Sequence, residues 1–144
     1  MSIPPLIEIY AEKSPYDFEV TDLDSLQACW EKVATLLFEI GVGEIAALPL
    51  IEISLLPDSS MAEVHAKFLS DPTPTDVITF EHGELLIGIE VAQCQAKEYE
   101  QDFLKEVALY GIHGMLHLSG YDDQMIADFK RMKARQEELL ELYF

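Results

Sequence analysis

Residues 113–123 read His113-Gly-Met-Leu-His117-Leu-Ser-Gly120-Tyr-Asp122-Asp123. Four residues are slightly more than one helical turn, so on a helix His113 and His117 project from one face and can offer two imidazoles to one ion. Gly120 is placed to end that helix, because a left-handed glycine cap turns the chain back on itself. The turn carries Asp122 or Asp123 toward the histidines as a third ligand. Two histidines and one carboxylate leave a coordination position for water, the arrangement of a catalytic zinc site.

Upstream, Gly111 and Gly114 flank His113. Each costs a helix interior about 1 kcal/mol relative to alanine, which predicts that something packs closely on that backbone. Leu109, Ile112, Leu116 and Leu118 are read as core. The surrounding pattern is helical, with Ala92–Gln101 and Asp102–Ser119 as one broken or two consecutive helices and Asp123–Leu142 as the last.

Further toward the N-terminus the period changes to two. Leu85–Val91 and Val77–Phe80, joined by a reversal at Glu81–Glu84, form an expected hairpin. DPTPTD before it must run extended. Asp58 or Ser59 is the expected cap of a short helix ending near Leu69. Leu48–Leu56 and Ile3–Tyr10 read as strands, and between them Leu26, Cys29, Trp30, Val33, Leu36, Leu37 and Ile40 mark an amphipathic helix. Thr21 or Asp22 is its expected cap, and Gly41 and Gly43 close it. The predicted class is α+β: a small mixed sheet of about four strands covered by helices, with a zincin-like metal helix, in one domain over residues 1–144.

Composition sets the limits. A chain of 144 residues suits one core, and 49% hydrophobic with 25% charged residues excludes a disordered or collagenous chain. The longest stretch without Asp, Glu, Lys or Arg, Val107–Tyr121, is too short to span a bilayer. The N-terminus lacks the features of a secretory signal, so a cytoplasmic protein without membrane contact is expected. Cys29 and Cys94 belong to no CxxC pair and read as two buried thiols. Nine basic against 27 acidic residues give −18, which repels phosphate backbones at long range. A local basic patch or a bound cation can offset this. Lys130, Arg131, Lys133 and Arg135 cluster, although such a cluster is first a solvated helix face.

HGMLHLSGYDD resembles HGxLHLxGYDH, the signature of the YbeY family, endoribonucleases of ribosomal RNA maturation whose three motif histidines bind zinc. PTDVITF at Pro74–Phe80 is similar to the family's PTDVLSF, and GELLIG at Gly83–Gly88 to its GDIVIS. The resemblance implies a zinc-dependent, single-strand-specific endoribonuclease acting on ribosomal RNA and the small ribosomal subunit. It implies one Zn²⁺ held by His113, His117 and Asp123, and a cleft along an edge strand built from Val77–Phe80.

Two positions depart from the family. Asp123 stands where the third ligand is histidine, and a carboxylate leaves the ion less electrophilic. Leu69 stands where a catalytic arginine is expected, and leucine cannot meet phosphate charge.

Gly114 occupies the place of the HExxH glutamate, which disfavours peptide hydrolysis by that mechanism. Glu84, Asp122, His82 and His65 are the candidates for a general base, with Glu84 joining His113 and His117 in the expected catalytic set. His82 is read first as a hairpin-turn residue and His65 first as a residue of a polar helix face. Asp122 has the alternative of holding the turn through backbone hydrogen bonds, Thr75 and Asp76 are read as doing the same at the extended entry to the sheet, and Phe80 is read first as core and second as a stacking surface for a base. Two further readings stand beside the nuclease: a non-catalytic assembly factor with a structural metal that binds a basic ribosomal protein, and a hydrolase of another bond.

Overall fold

The structure, a computed structural model, describes residues 2–12, 16–69 and 76–144. Four strands form one mixed sheet, in the order β1 (Leu6–Ala11), β2 (Leu50–Leu56), β4 (Glu84–Gly88) and β3 (Val77–Phe80). β1 and β4 run parallel to β2, and β3 runs antiparallel to β4 with Val77 opposite Ile87 and Phe80 opposite Glu84. The helices are α1 (Val20–Ile40), α2 (Asp58–Leu69), α3 (Ile89–Glu98), α4 (Phe103–Leu118) and α5 (Ile126–Tyr143). The α+β architecture is the one the pattern predicts.

The core explains which faces meet. Leu85 and Ile87 of β4 join Trp30, Leu37 and Met115 in the main cluster, while Leu86 joins Ile78 and Met61 of α2 in a second one. Side chains alternate across a strand, so α1 and α4 cover one face and α2 the other. The two glycines of α4 make the close approach that the sequence predicts. A Cβ on Gly111 would lie 2.3 Å from Trp30 Cε2 and Nε1, and one on Gly114 would lie 2.3 Å from Leu85 Cδ2 and 3.2 Å from Thr79 Oγ1. Trp30 is held there by its Nε1–H, which donates to the Ala108 carbonyl at 3.0 Å.

Several local expectations are corrected. β4 ends at Gly88 and not at Val91, because its pairing ends there: Leu56, the last residue of β2, pairs with Gly88, and the register with β3 runs to Val77 opposite Ile87. The Gly88 N–H turns to the Asp76 carbonyl, and Ile89 starts a helix with its side chain buried. α2 begins on Asp58 itself, whose N–H donates to Glu90 Oε1 of α3 at 2.9 Å. The cap is thus tertiary. α1 starts after Glu19 with no side-chain cap, so Thr21 and Asp22 lie inside it. An aromatic trio orders that approach, with Tyr16 4.7 Å from Phe18 and from Phe103 between ring centres. Cys29 is buried but Cys94 is exposed, since α3 turns Ala92 and Ala96 inward instead. The extended course of DPTP and the role of Thr75 lie outside the described residues. Among the described residues no helix is long and apolar enough to cross a membrane.

Candidate metal centre

The site is built by the end of α4. Gly120, at φ 90°, closes the helix with two backbone bonds: its own N–H to His117 O at 3.1 Å and Tyr121 N–H to Leu116 O at 3.0 Å. This is the Schellman pattern, which satisfies orphan carbonyls and reverses the chain. Gly43 lies against the same corner, where a Cβ would come within 2.4 Å of the Leu118 carbonyl. The reversal brings two groups back to the histidines. Tyr121 O lies 3.1 Å from His117 Nδ1, and Asp123 Oδ2 lies 3.7 Å from His113 Nε2 and 3.6 Å from His117 Nε2.

The two Nε2 atoms are 3.1 Å apart, which closes a triangle of three donor atoms. A tetrahedral Zn²⁺ with bonds of about 2.0–2.2 Å separates its ligand atoms by about 3.3–3.6 Å, so the triangle has the size of one tetrahedral face. The donor set fits a divalent cation. Both outer nitrogens are also engaged, His113 Nδ1 by Gln136 Oε1 at 2.8 Å and His117 Nδ1 by the Tyr121 carbonyl. A proton on each Nδ1 leaves both Nε2 lone pairs facing the triangle. Of the two aspartates, Asp123 is the one brought beside the histidines, while Asp122 Oδ1 accepts the Gln124 N–H at 3.1 Å and holds the turn.

The triad is partly open, with side-chain exposures of 25% for His113, 29% for His117 and 37% for Asp123. It opens into a cleft of about 830 Å³ along the free edge of β3, bordered by His65 and Phe68 of α2, Thr79 and Phe80 of β3, and Phe129 of α5. A smaller recess of about 140 Å³ joins it, where His113, Asp123, Phe129 and Met132 meet Lys133 and Gln136.

The remaining sequence candidates divide. His65 lines the cleft. Phe80 does so too, its ring 5.5 Å from the Phe68 ring in an edge contact and 5.5 Å from the His82 ring stacked on it. Glu84 is not brought to the histidines. It shares strand parity with Leu86, which faces α2, whereas Leu85 faces α4; its Oε1 lies 3.3 Å from His82 Nε2 instead. A polar residue beginning a strand gives no sign of which face it will take until the neighbouring helices are placed. At the entry to β3, Asp76 Oδ1 accepts the Val77 N–H at 2.7 Å. Leu69 closes α2.

In the basic cluster Arg131 pairs with Asp128 and Arg135 with Glu138. Lys133 is the member that borders the triad. Gln136 and Phe129 were not legible as site residues. The available signal for Gln136 was a polar residue on the stripe of α5 otherwise formed by Met132, Leu139, Leu140 and Tyr143.

Comparison with known proteins gives a consistent result. The sequence profile of the family described as "Endoribonuclease YbeY" matches residues 16–143. A protein of that description from Streptococcus mutans is 35% identical over 97 residues, covering 65% of this chain and 59% of its own length. One from Bacillus thuringiensis is 30% identical over 146 residues, covering 84% of this chain and 93% of its own. The solution structure of TM1509 from Thermotoga maritima superimposes with a TM-score of 0.65 at 27% identity, over 94% of this chain and 87% of that one.

Proposed function

The chain belongs to the YbeY endoribonuclease family, and from that premise we propose that it is a metal-dependent, single-strand-specific endoribonuclease of ribosomal RNA maturation. Zn²⁺ is the proposed ion and His113, His117 and Asp123 its ligands. The observation that carries this reading is the convergence of three donor atoms at the mouth of a cleft with one side accessible. When bound, a divalent cation supplies Lewis acidity toward a phosphodiester and lowers the pKa of water.

The chain's own residues do the rest. Tyr121 O and Gln136 fix the two imidazoles, so no reorganisation is needed to present both Nε2 atoms. Asp123 adds a negative charge where histidine would add none, which lowers electrophilicity at the site. Lys133 offers a phosphate the positive charge that leucine at position 69 does not, since Lys and Arg are absent from the lining of the main cleft among the described residues. Phe129, half exposed where it lines the cleft, offers a face on which unpaired bases stack, and a duplex does not expose such bases. His65 is the cleft-lining candidate to accept a proton. Long-range repulsion from −18 makes binding strongly dependent on salt.

A second reading draws on the same charge and on Leu69: an assembly factor with a structural metal that binds a basic ribosomal protein. One experiment separates them. Zinc-loaded protein is incubated with single-stranded and duplex fragments of ribosomal RNA, beside chelator-treated protein and His113→Ala. Cleavage of the single strand alone, lost in both controls, is the expected result. Stoichiometric zinc without cleavage, together with retention of a small-subunit protein, overturns the nuclease in favour of the assembly factor. A large gain in cleavage on Asp123→His would identify the carboxylate as the brake on a working nuclease.

A further inference from the structure

Among the described residues, the two histidines of the triad are held from behind by different kinds of acceptor. Tyr121 O is a carbonyl and can only accept, so the neutral His117 ring carries its proton on Nδ1 and leaves Nε2 bare. His113 Nδ1 instead meets a primary amide, which has an acceptor at one end and two donor hydrogens at the other. Gln136 can therefore serve either tautomer of His113.

The choice has consequences across the 3.1 Å gap between the two Nε2 atoms. With the proton on Nδ1, His113 Nε2 is a bare lone pair beside that of His117, an arrangement that calls for a cation. With the proton on Nε2, His113 donates to His117 and closes the site with an internal hydrogen bond. The first arrangement needs the Gln136 oxygen toward Nδ1, and the second needs its NH₂. Oε1 faces Nδ1 at 2.8 Å, the metal-ready orientation. Gln136 is held on α5 among residues packed on the core, Met132 one turn before it and Leu139 and Leu140 after it.

We propose that Gln136 is a positioning residue whose amide selects the His113 tautomer, so that α5 sets the metal affinity of a site built on α4. The proposal rests on reading the triad as a metal site, and not on RNA cleavage. Its test uses Gln136→Met, similar in length but without a hydrogen-bonding partner, and Gln136→Glu, which can only accept. Ring ¹⁵N shifts of His113 are read in the metal-free protein, and Zn²⁺ and Co²⁺ affinities by competition with a chromophoric chelator.

In the unsubstituted protein and in Gln136→Glu the His113 proton is expected on Nδ1, with metal binding at least as tight in the glutamate variant. In Gln136→Met a shift toward the Nε2–H form and a loss of about 10–100-fold in affinity are expected. Unchanged tautomer, or affinity within about twofold in Gln136→Met, overturns the proposal while leaving the metal site standing. If thermal unfolding shows the methionine variant to be misfolded, the glutamate variant decides: weaker binding, or a proton on Nε2, overturns it. Absence of metal uptake by the unsubstituted protein sinks the metal-site reading and the proposal with it.

Discussion

Two adjacent aspartates with the same charge offer an internally controlled test of the centre. Asp123→Ala removes one corner of a triangle whose edges are 3.1, 3.6 and 3.7 Å, leaving two imidazoles to hold the ion. Loss of a hydrogen-bonding partner one step behind a ligand typically costs about 10–100-fold in metal affinity, so loss of a ligand itself should exceed the upper end. The expected effect is more than about 100-fold, or about 2.7 kcal/mol.

Asp122→Ala changes the net charge by the same unit one residue away, but removes only a carboxylate that accepts the Gln124 N–H at 3.1 Å. Long-range electrostatics, screened beyond about 8–10 Å, is nearly common to both variants. Asp122→Ala should therefore stay within about threefold of the unsubstituted protein, the turn being secured by the backbone bonds around Gly120. Affinity is measured for Zn²⁺ by chelator competition and occupancy by elemental analysis. Equal losses in the two variants, or retention of full occupancy by Asp123→Ala, would refute the assignment of the third ligand.

Gly111→Ala gains about 1 kcal/mol of helix propensity but drives a methyl into the indole of Trp30, which its bond to Ala108 O prevents from moving aside; overpacking at the upper end of its range of about 1–3 kcal/mol leaves a net loss of about 2 kcal/mol, which should appear in chemical denaturation. Glu106 is buried, and that burial pushes its carboxyl pKa upward, opposed by a hydrogen bond from Tyr110 and reinforced by the charge of Asp76. A carboxyl raised in the folded state binds more protons folded than unfolded, so its contribution falls as pH rises from the ordinary carboxylate range through the raised value. Glu106→Gln should flatten that fall, raising the thermal midpoint relative to the unsubstituted protein more at pH 7 than at pH 4. A larger gain at pH 4 would contradict the sign. In a thiol assay at pH 8 the exposed Cys94 should react fast, and Cys29, buried and with its pKa pushed up to about 11, only on unfolding. Equal rates in the folded protein would refute the difference in burial.

Local pattern was enough for α4 and its end. Histidines four apart, glycines beside the first and a glycine cap after the second specify a helix face, a close approach and a reversal, all governed by bonds within about one turn. Strand parity and helix periodicity likewise gave the α+β class. What sequence left open were choices between near-equivalent partners. Asp122 and Asp123 differ only in which side of the turn each takes, and the folded corner sends one to the Gln124 amide and the other to the histidines. Glu84 is expected in the catalytic set with the two histidines, but the packing of α4 on Leu85 and of α2 on Leu86 turns it to the other side of the sheet.

The same holds for caps and ends. Asp58 carries a capping side chain, yet its N–H is met by Glu90, 32 residues away. β4 stops where its pairing stops, whatever the β-branched residues beyond it prefer. Gln136 and Lys133 reach the centre because α5 docks on α4, a contact between residues more than twenty positions apart in the first case. Backbone periodicity and caps act over a few residues and are therefore written locally. A ligand's third corner, its supporting hydrogen bonds and the charge beside it depend on which surfaces pack together, and only the folded chain settles that.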